Sequence, residues 1–279
     1  MDAFSSLEGQ ESESLLDRRY LTQTDDKKRC YIIRPVNNCR KQIGAVLIHG
    51  HGTNFENTIV LRELATRLWI SGVPICIVDF DEIVKTDNDL DFYSLAERGE
   101  FAKCAMDQFC SDSKLSSENV WVFGHSIGGL TAIQIGKYVI CINTPVPNSS
   151  SFGQFLSETE KIMFDNPNPE FSKKLLGDYH VCVTEGMRVV NFCHRADFAI
   201  NKGVWIAQGL EVVEFGESSG ITTLDEADSA INASKMSRFK WLLKNYYRYH
   251  NVVSSKDRKE LFDVIFPKMS QYNGFHINS

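Results

Sequence analysis

The residues most able to do chemistry lie in Val120-Trp-Val-Phe-Gly-His-Ser-Ile-Gly-Gly129, where Ser126 stands between Gly124 and Gly128. A serine on a tight strand-to-helix turn needs neighbours without Cβ, because the backbone closes on itself there. The helix that follows aims its N-terminal N–H groups at the same point. That chemistry is nucleophilic attack with stabilisation of a developing negative charge. Out of context G-x-S-x-G is only a turn; here an apolar strand precedes it and a helix with Leu130 and Ile133 follows. A second segment, Ala45-Val-Leu-Ile-His-Gly-His-Gly-Thr53, is a strand ending in a glycine-rich turn that can present backbone N–H groups to an oxyanion. Read alone, a tight turn with two incidental histidines accounts for it equally well.

These motifs need a scaffold, and the chain supplies the alternation of one. Apolar runs at 29–34, 44–48, 75–80, 120–123, 139–142, 187–193 and 210–215 read as strands. Helical patterns lie between them: Ile59, Leu61, Leu64 and Leu68 at helical spacing, a Ser94–Glu97 capping box opening a helix with Phe101, Ala105 and Phe109, and a helix from Ser126 to about Tyr138. Strands alternating with helices predict a mostly parallel sheet covered on both faces, an α/β fold. Thr223 and Glu226 form a second capping box that opens one long helix toward Tyr249, and Ser254 and Asp257 begin a last helix ending near Met269. Together they predict a C-terminal helical hairpin. Residues 146–186 interrupt the rhythm with three prolines and the aromatics Phe152, Phe155, Phe164 and Phe171, and read as an inserted cap. The expected organisation is a polar arm over 1–28, a core of 29–145 and 187–279, and the cap between its halves.

Composition narrows the function by exclusion. The 279 residues carry 43% hydrophobic and 24% charged side chains, ordinary for a globular domain. A net charge of −6 argues against a nucleic-acid-binding surface. No apolar run is long enough for a transmembrane segment, and residues 1–26 lack the pattern of a cleavable signal, so the expected setting is cytoplasmic. The eight cysteines are scattered without a CxxC pair, which suits reduced structural thiols rather than disulfides. Neither zinc nor any other cofactor is expected, because no Cys/His cluster has ligand spacing.

With both motifs in view, the stretch from Cys30 to Phe215 resembles the α/β-hydrolase superfamily, above all its esterases, lipases and thioesterases, through Leu-Ile-His-Gly-His-Gly-Thr-Asn and Phe-Gly-His-Ser-Ile-Gly-Gly. The resemblance implies Ser126 as nucleophile and an oxyanion hole from the Ile127 N–H and an N–H of the His-Gly-His-Gly loop, that of His51 before that of Gly52. Family order is nucleophile, acid, histidine. The acid implied after the strand at 187–193 is Asp197, favoured in that role over the alternative of capping a helix over 198–208; Asp79 reads as structural.

The family's histidine belongs just beyond the strand at 210–215, and the loop there has none. One unbroken helix from Thr223 would carry His250 roughly 30 Å or more from the catalytic face. The helix from Ser254 returns, so His276 is the leading base, against a frayed tail as the bland reading. His125, His49, His194 and His180 are the weaker candidates. The cap aromatics Phe152, Phe155 and Phe164 are expected to bind the substrate, a small-molecule or lipid-like acyl ester or thioester. The expected activity is therefore that of a serine hydrolase working through an acyl-enzyme. A hydrolase-like fold without a base, serving as a binding protein, and an acyltransferase using the same nucleophile are the alternatives. Oligomeric state is not legible.

Overall fold

The computed structural model describes residues 21–25, 28–35, 42–80, 93–163 and 169–273. Eight strands form one sheet: β1 (Leu21–Asp25), β2 (Lys28–Ile33), β3 (Gly44–Ile48), β4 (Ile75–Phe80), β5 (Val120–His125), β6 (Tyr138–Ile142), β7 (Arg188–His194) and β8 (Glu211–Phe215). Their order is β1-β2-β4-β3-β5-β6-β7-β8. From β4 to β8 every pairing is parallel, whereas β2 runs antiparallel to both β1 and β4. Strand β1 falls within the stretch expected to be a polar arm; its backbone pairs with β2 at the sheet edge.

Alternation along the strands divides the core in two, because successive side chains point to opposite faces. Cys30, Val46, Ile48, Cys76 and Val78 meet α2 (Leu95–Ser113) and α3 (Ile127–Ile135) on one face. Tyr31, Ala45, Leu47, Ile75, Ile77, Trp121 and Phe123 meet α1 (Ile59–Ile70) and α10 (Ser255–Asn273) on the other. Fully buried apolar strands of this kind account for the unbroken hydrophobic runs.

Between β6 and β7 lie α4 (Ser149–Met163) and α5 (Pro169–Leu176). The short α6 (Lys202–Ala207) precedes β8 and is capped by Asn201, which accepts from the Val204 N–H, so Asp197 does not cap it.

The long helix expected from Thr223 to Tyr249 is interrupted. Helix α7 (Leu224–Ala233) opens on the Thr223–Glu226 capping box and stops at Ser234. The Ser234 hydroxyl accepts from the Met236 N–H, the local bond by which serine competes with helix continuation. After Ser237 the chain re-enters helix as α8 (Arg238–Leu242), runs through a π turn at Leu243–Tyr247 and ends in α9 (Arg248–His250). The reversal returns His250 to the end of the sheet where β5 and β7 finish. The expectation that His250 sits on the opposite face is thus overturned, and the reason is a break the apolar periodicity did not reveal.

Candidate active site

The turn between β5 and α3 holds Ser126 at φ 53°, ψ −132°, a left-handed conformation that side chains other than glycine rarely adopt. Close packing enforces it. A Cβ on Gly124 would lie 2.3 Å from the Gly128 carbonyl oxygen, and one on Gly128 would lie 2.4 Å from the carbonyl oxygens of Ile48 and His49. The glycines of the motif are therefore where β3, β5 and α3 touch backbone to backbone. Ser126 is partly exposed at the top of this contact.

Three side chains line up from separate elements. The Ser126 Oγ is 2.9 Å from His250 Nε2, and His250 Nδ1 is 2.7 Å from Asp197 Oδ2. Asp197 is buried just beyond β7, and its other oxygen accepts from the Ala199 N–H. With Nδ1–H donated to the carboxylate, Nε2 is left to accept from the serine hydroxyl. Tyr246, one helical turn before, stacks on the His250 ring at 5.0 Å and touches Phe198 at 5.2 Å. The imidazole is thereby held on its edge by Asp197 and on its face by Tyr246.

A second layer fixes the backbone that delivers His250. The carbonyl of His250 accepts from His125 Nε2 at 2.8 Å and from Asn143 Nδ2 at 2.8 Å; the same amide donates to the Tyr249 carbonyl. Asn143 Oδ1 accepts from the His194 N–H at 2.7 Å. One side chain thus ties the end of β6 to β7 and to α9, and Asn143 itself is left-handed at φ 47°. Burial, and then electrostatic coupling to the His250 ring, push His125 down to about 3, so it serves as a neutral donor. Nothing in the sequence marked Asn143; it follows a strand as an ordinary turn residue.

The His-Gly-His-Gly turn is locked as firmly. His49 Nε2 accepts from the Phe80 N–H, so Nδ1 carries the proton and donates to the Gly50 carbonyl at 2.6 Å. Arg98, wholly buried on α2, donates to the His49 carbonyl at 2.7 Å and lies 4.1 Å over the Phe80 ring. In a trans peptide the C=O and the following N–H point opposite ways, so the bonds to the Gly50 carbonyl, from His49 and from Arg98 at 3.4 Å, turn the His51 N–H in the other direction. A Cβ on Gly50 would sit 2.9 Å from Ser126 Cβ, which places this turn against the serine. The Ile127 N–H heads α3, where helix geometry provides no intrahelical acceptor. Asp79 accepts from the Phe55 N–H at 2.7 Å and so ties down the continuation of the loop.

The remaining candidates are placed as follows. His194 is buried, its Nδ1 accepting from the Ala196 N–H and its Nε2 3.4 Å from Asp257; burial lowers its pKa. Phe152 is wholly buried, stacked with Phe155 at 6.0 Å and 5.5 Å from Tyr179, so it packs the insertion onto the core rather than facing a substrate. Phe155 lines a cavity of about 480 Å³ with Val146, Phe198, Ile200 and Leu224. His51 meets Phe171 of α5 edge to face at 5.2 Å. His180 and Met187 line a separate 520 Å³ hollow with Gly136 and Lys137, at the far ends of β6 and β7. Phe164 and His276 lie outside the described residues. Among the described residues no cluster of metal ligands occurs.

No protein-family model and no curated protein sequence matches the chain. Solved structures do. Est1E from Butyrivibrio proteoclasticus superposes with a TM-score of 0.51 at 14% identity, covering 84% of this chain and 98% of that one. Esterase 2 of Thermogutta terrifontis, solved phosphonylated by sarin, has a TM-score of 0.49 at 12% identity, covering 76% and 92%. The parallel sheet, the strand–serine–helix turn and the Est1E superposition agree on the architecture: the chain has the α/β-hydrolase fold.

Proposed function

We propose that the protein is a serine hydrolase that cleaves a carboxylic ester or thioester through an acyl-enzyme, with Ser126, His250 and Asp197 as its triad. The observation that carries this is the continuous path from Ser126 Oγ through the His250 ring to a buried Asp197 carboxylate, with both contacts under 3 Å. A fold that had lost its base would not need it.

In the proposed reaction Ser126 Oγ attacks the carbonyl carbon while His250 Nε2 takes its proton. Asp197 keeps the imidazole in the tautomer that can accept, and stabilises the imidazolium that forms. The charge on the tetrahedral oxygen is met by the N–H groups of Ile127 and His51, which helix geometry and the His49 and Arg98 bonds orient in advance. Collapse breaks the bond to the leaving alcohol or thiol, which departs with the proton from Nε2. Water then repeats the sequence on the acyl-enzyme, and the carboxylic acid leaves. Helices α4 and α5 act as the cap, and Phe155 rather than Phe152 supplies the apolar wall for the acyl group.

Turnover of nitrophenyl acetate, butyrate and octanoate tests the proposal. Activity should vanish in Ser126→Ala and His250→Ala and survive in His276→Ala. Full activity in His250→Ala would overturn it.

A further inference from the structure

We propose that the outer face of the α8–α9 segment docks the protein onto an anionic lipid surface. The inner face of this segment is occupied: Trp241 and Leu242 are buried against Phe198 and Ile231, and Tyr246 covers His250. The outer face is not. Phe239, Leu243 and Tyr247 are exposed by 69%, 44% and 49%, one turn apart along the helix, and Met236 leads into them with 41%. Large apolar side chains in a row on the solvent side of a helix mark a contact surface rather than scatter.

Charge selects the partner. The chain has a net charge of −6, yet residues 234–250 hold Lys235, Arg238, Lys240, Lys244 and Arg248 and no acid. Lys240, Lys244 and Arg248 are exposed and each follows an apolar residue of the row by one position, so a cationic stripe runs beside the apolar one. Arg238 is spent on the cap, donating to the carbonyl of Ile162, and the Arg248 guanidinium lies 5.4 Å over the Tyr249 ring. Lys240 and Lys244 have no acidic partner among the described residues. Aromatic and leucine side chains flanked by lysine on one helix face fit the headgroup boundary of an anionic membrane. A second copy of the chain fits poorly, since a two-fold contact sets the same patch on itself and brings like charges together. No helix among the described residues is long and apolar enough to cross a membrane; the contact proposed is a peripheral one.

Docking here would hold the helix that ends in His250 against the lipid. Such placement would suit an ester embedded in the surface, which rests on the hydrolase reading; the docking itself does not depend on it. The test is co-sedimentation of the inactive Ser126→Ala protein with phosphatidylcholine vesicles, with and without phosphatidylserine. The protein should bind the anionic vesicles and be released by salt. Each cation near such a surface is worth about fivefold in affinity, so Lys240→Glu with Lys244→Glu should weaken binding by about 25-fold or more. Phe239→Ser with Leu243→Ser should weaken binding comparably while leaving, in the active background, turnover of a short soluble ester unchanged. Equal binding to both vesicle types, no binding, or parental binding by the two double variants would overturn the proposal. So would a dimer of the parent that Phe239→Ser with Leu243→Ser converts to monomer, because a second copy would then own the face.

Discussion

Replacing Asn143 by alanine should uncouple His250, the proposed base, from the sheet without touching any reacting atom. The side chain donates to the Tyr249 and His250 carbonyls and accepts from the buried His194 N–H. The His250 carbonyl keeps its bond from His125, but the His194 N–H loses the partner its backbone position provides. An orphaned buried donor costs about 1–3 kcal/mol. Alanine at φ 47° adds about 1–2 kcal/mol, because left-handed backbone suits asparagine better. The sum, about 2–5 kcal/mol, lowers the melting temperature by roughly 5–15 °C in a chain this long. Activity should suffer separately. With one of two anchors on its carbonyl gone, the His250 ring drifts, and a displacement near 1 Å costs about a hundredfold in kcat. Asn143→Gly separates the effects: glycine accepts the backbone angle and recovers about 1 kcal/mol, yet holds nothing. Thermal unfolding and kcat measured on both variants decide the matter. If Asn143→Gly restored kcat, the side chain would not be what positions the base.

Gly50→Ala tests the packing of the His-Gly-His-Gly turn on Ser126, the proposed nucleophile. Carbon atoms pack comfortably at about 3.5–4.0 Å, and the new methyl would start 2.9 Å from Ser126 Cβ, so kcat/KM should fall about tenfold to a hundredfold with the fold retained; an unaltered kcat/KM would show that the turn does not abut the serine. Acid stability reports on His125. Its pKa is lowered in the folded protein to about 3, so below an unfolded value near 6.5 the unfolded chain binds the extra proton, and stability falls as pH drops from about 6.5 toward 3. The slope from this group approaches about 1.4 kcal/mol per pH unit, and urea unfolding at a series of pH values should find it shallower in His125→Gln; an identical slope would mean that His125 is not held neutral.

The parts of this architecture legible in sequence are those where a local pattern and its tertiary role coincide. Strand β5 and the Ser126 turn are visible because backbone contact with β3 demands glycine at 124 and 128, and Asp197 because it lies directly beyond a strand. The path of His250 was not visible. Its delivery depends on a hydroxyl at Ser234 turning the chain back, in a stretch whose flanks both read as helix. A serine three residues before another, with no apolar periodicity between them, was the available signal. Asn143, Arg98 and the tautomer of His49 were illegible for a different reason. Each acts on backbone groups that are distant in sequence, so neither composition nor spacing carries a trace of the contact. Phe152 shows the converse error: an aromatic in an insertion reads as ligand-facing, while packing against Tyr179 uses it first.

In the proposed mechanism Ser126 is activated by His250. Reaction with a fluorophosphonate probe, followed by mass-spectrometric location of the adduct, addresses it directly. One adduct is expected, on Ser126, absent in Ser126→Ala and slowed by about a thousandfold or more in His250→Ala, with His276→Ala reacting at the parental rate. An adduct on another residue, or parental labelling of His250→Ala, would contradict it.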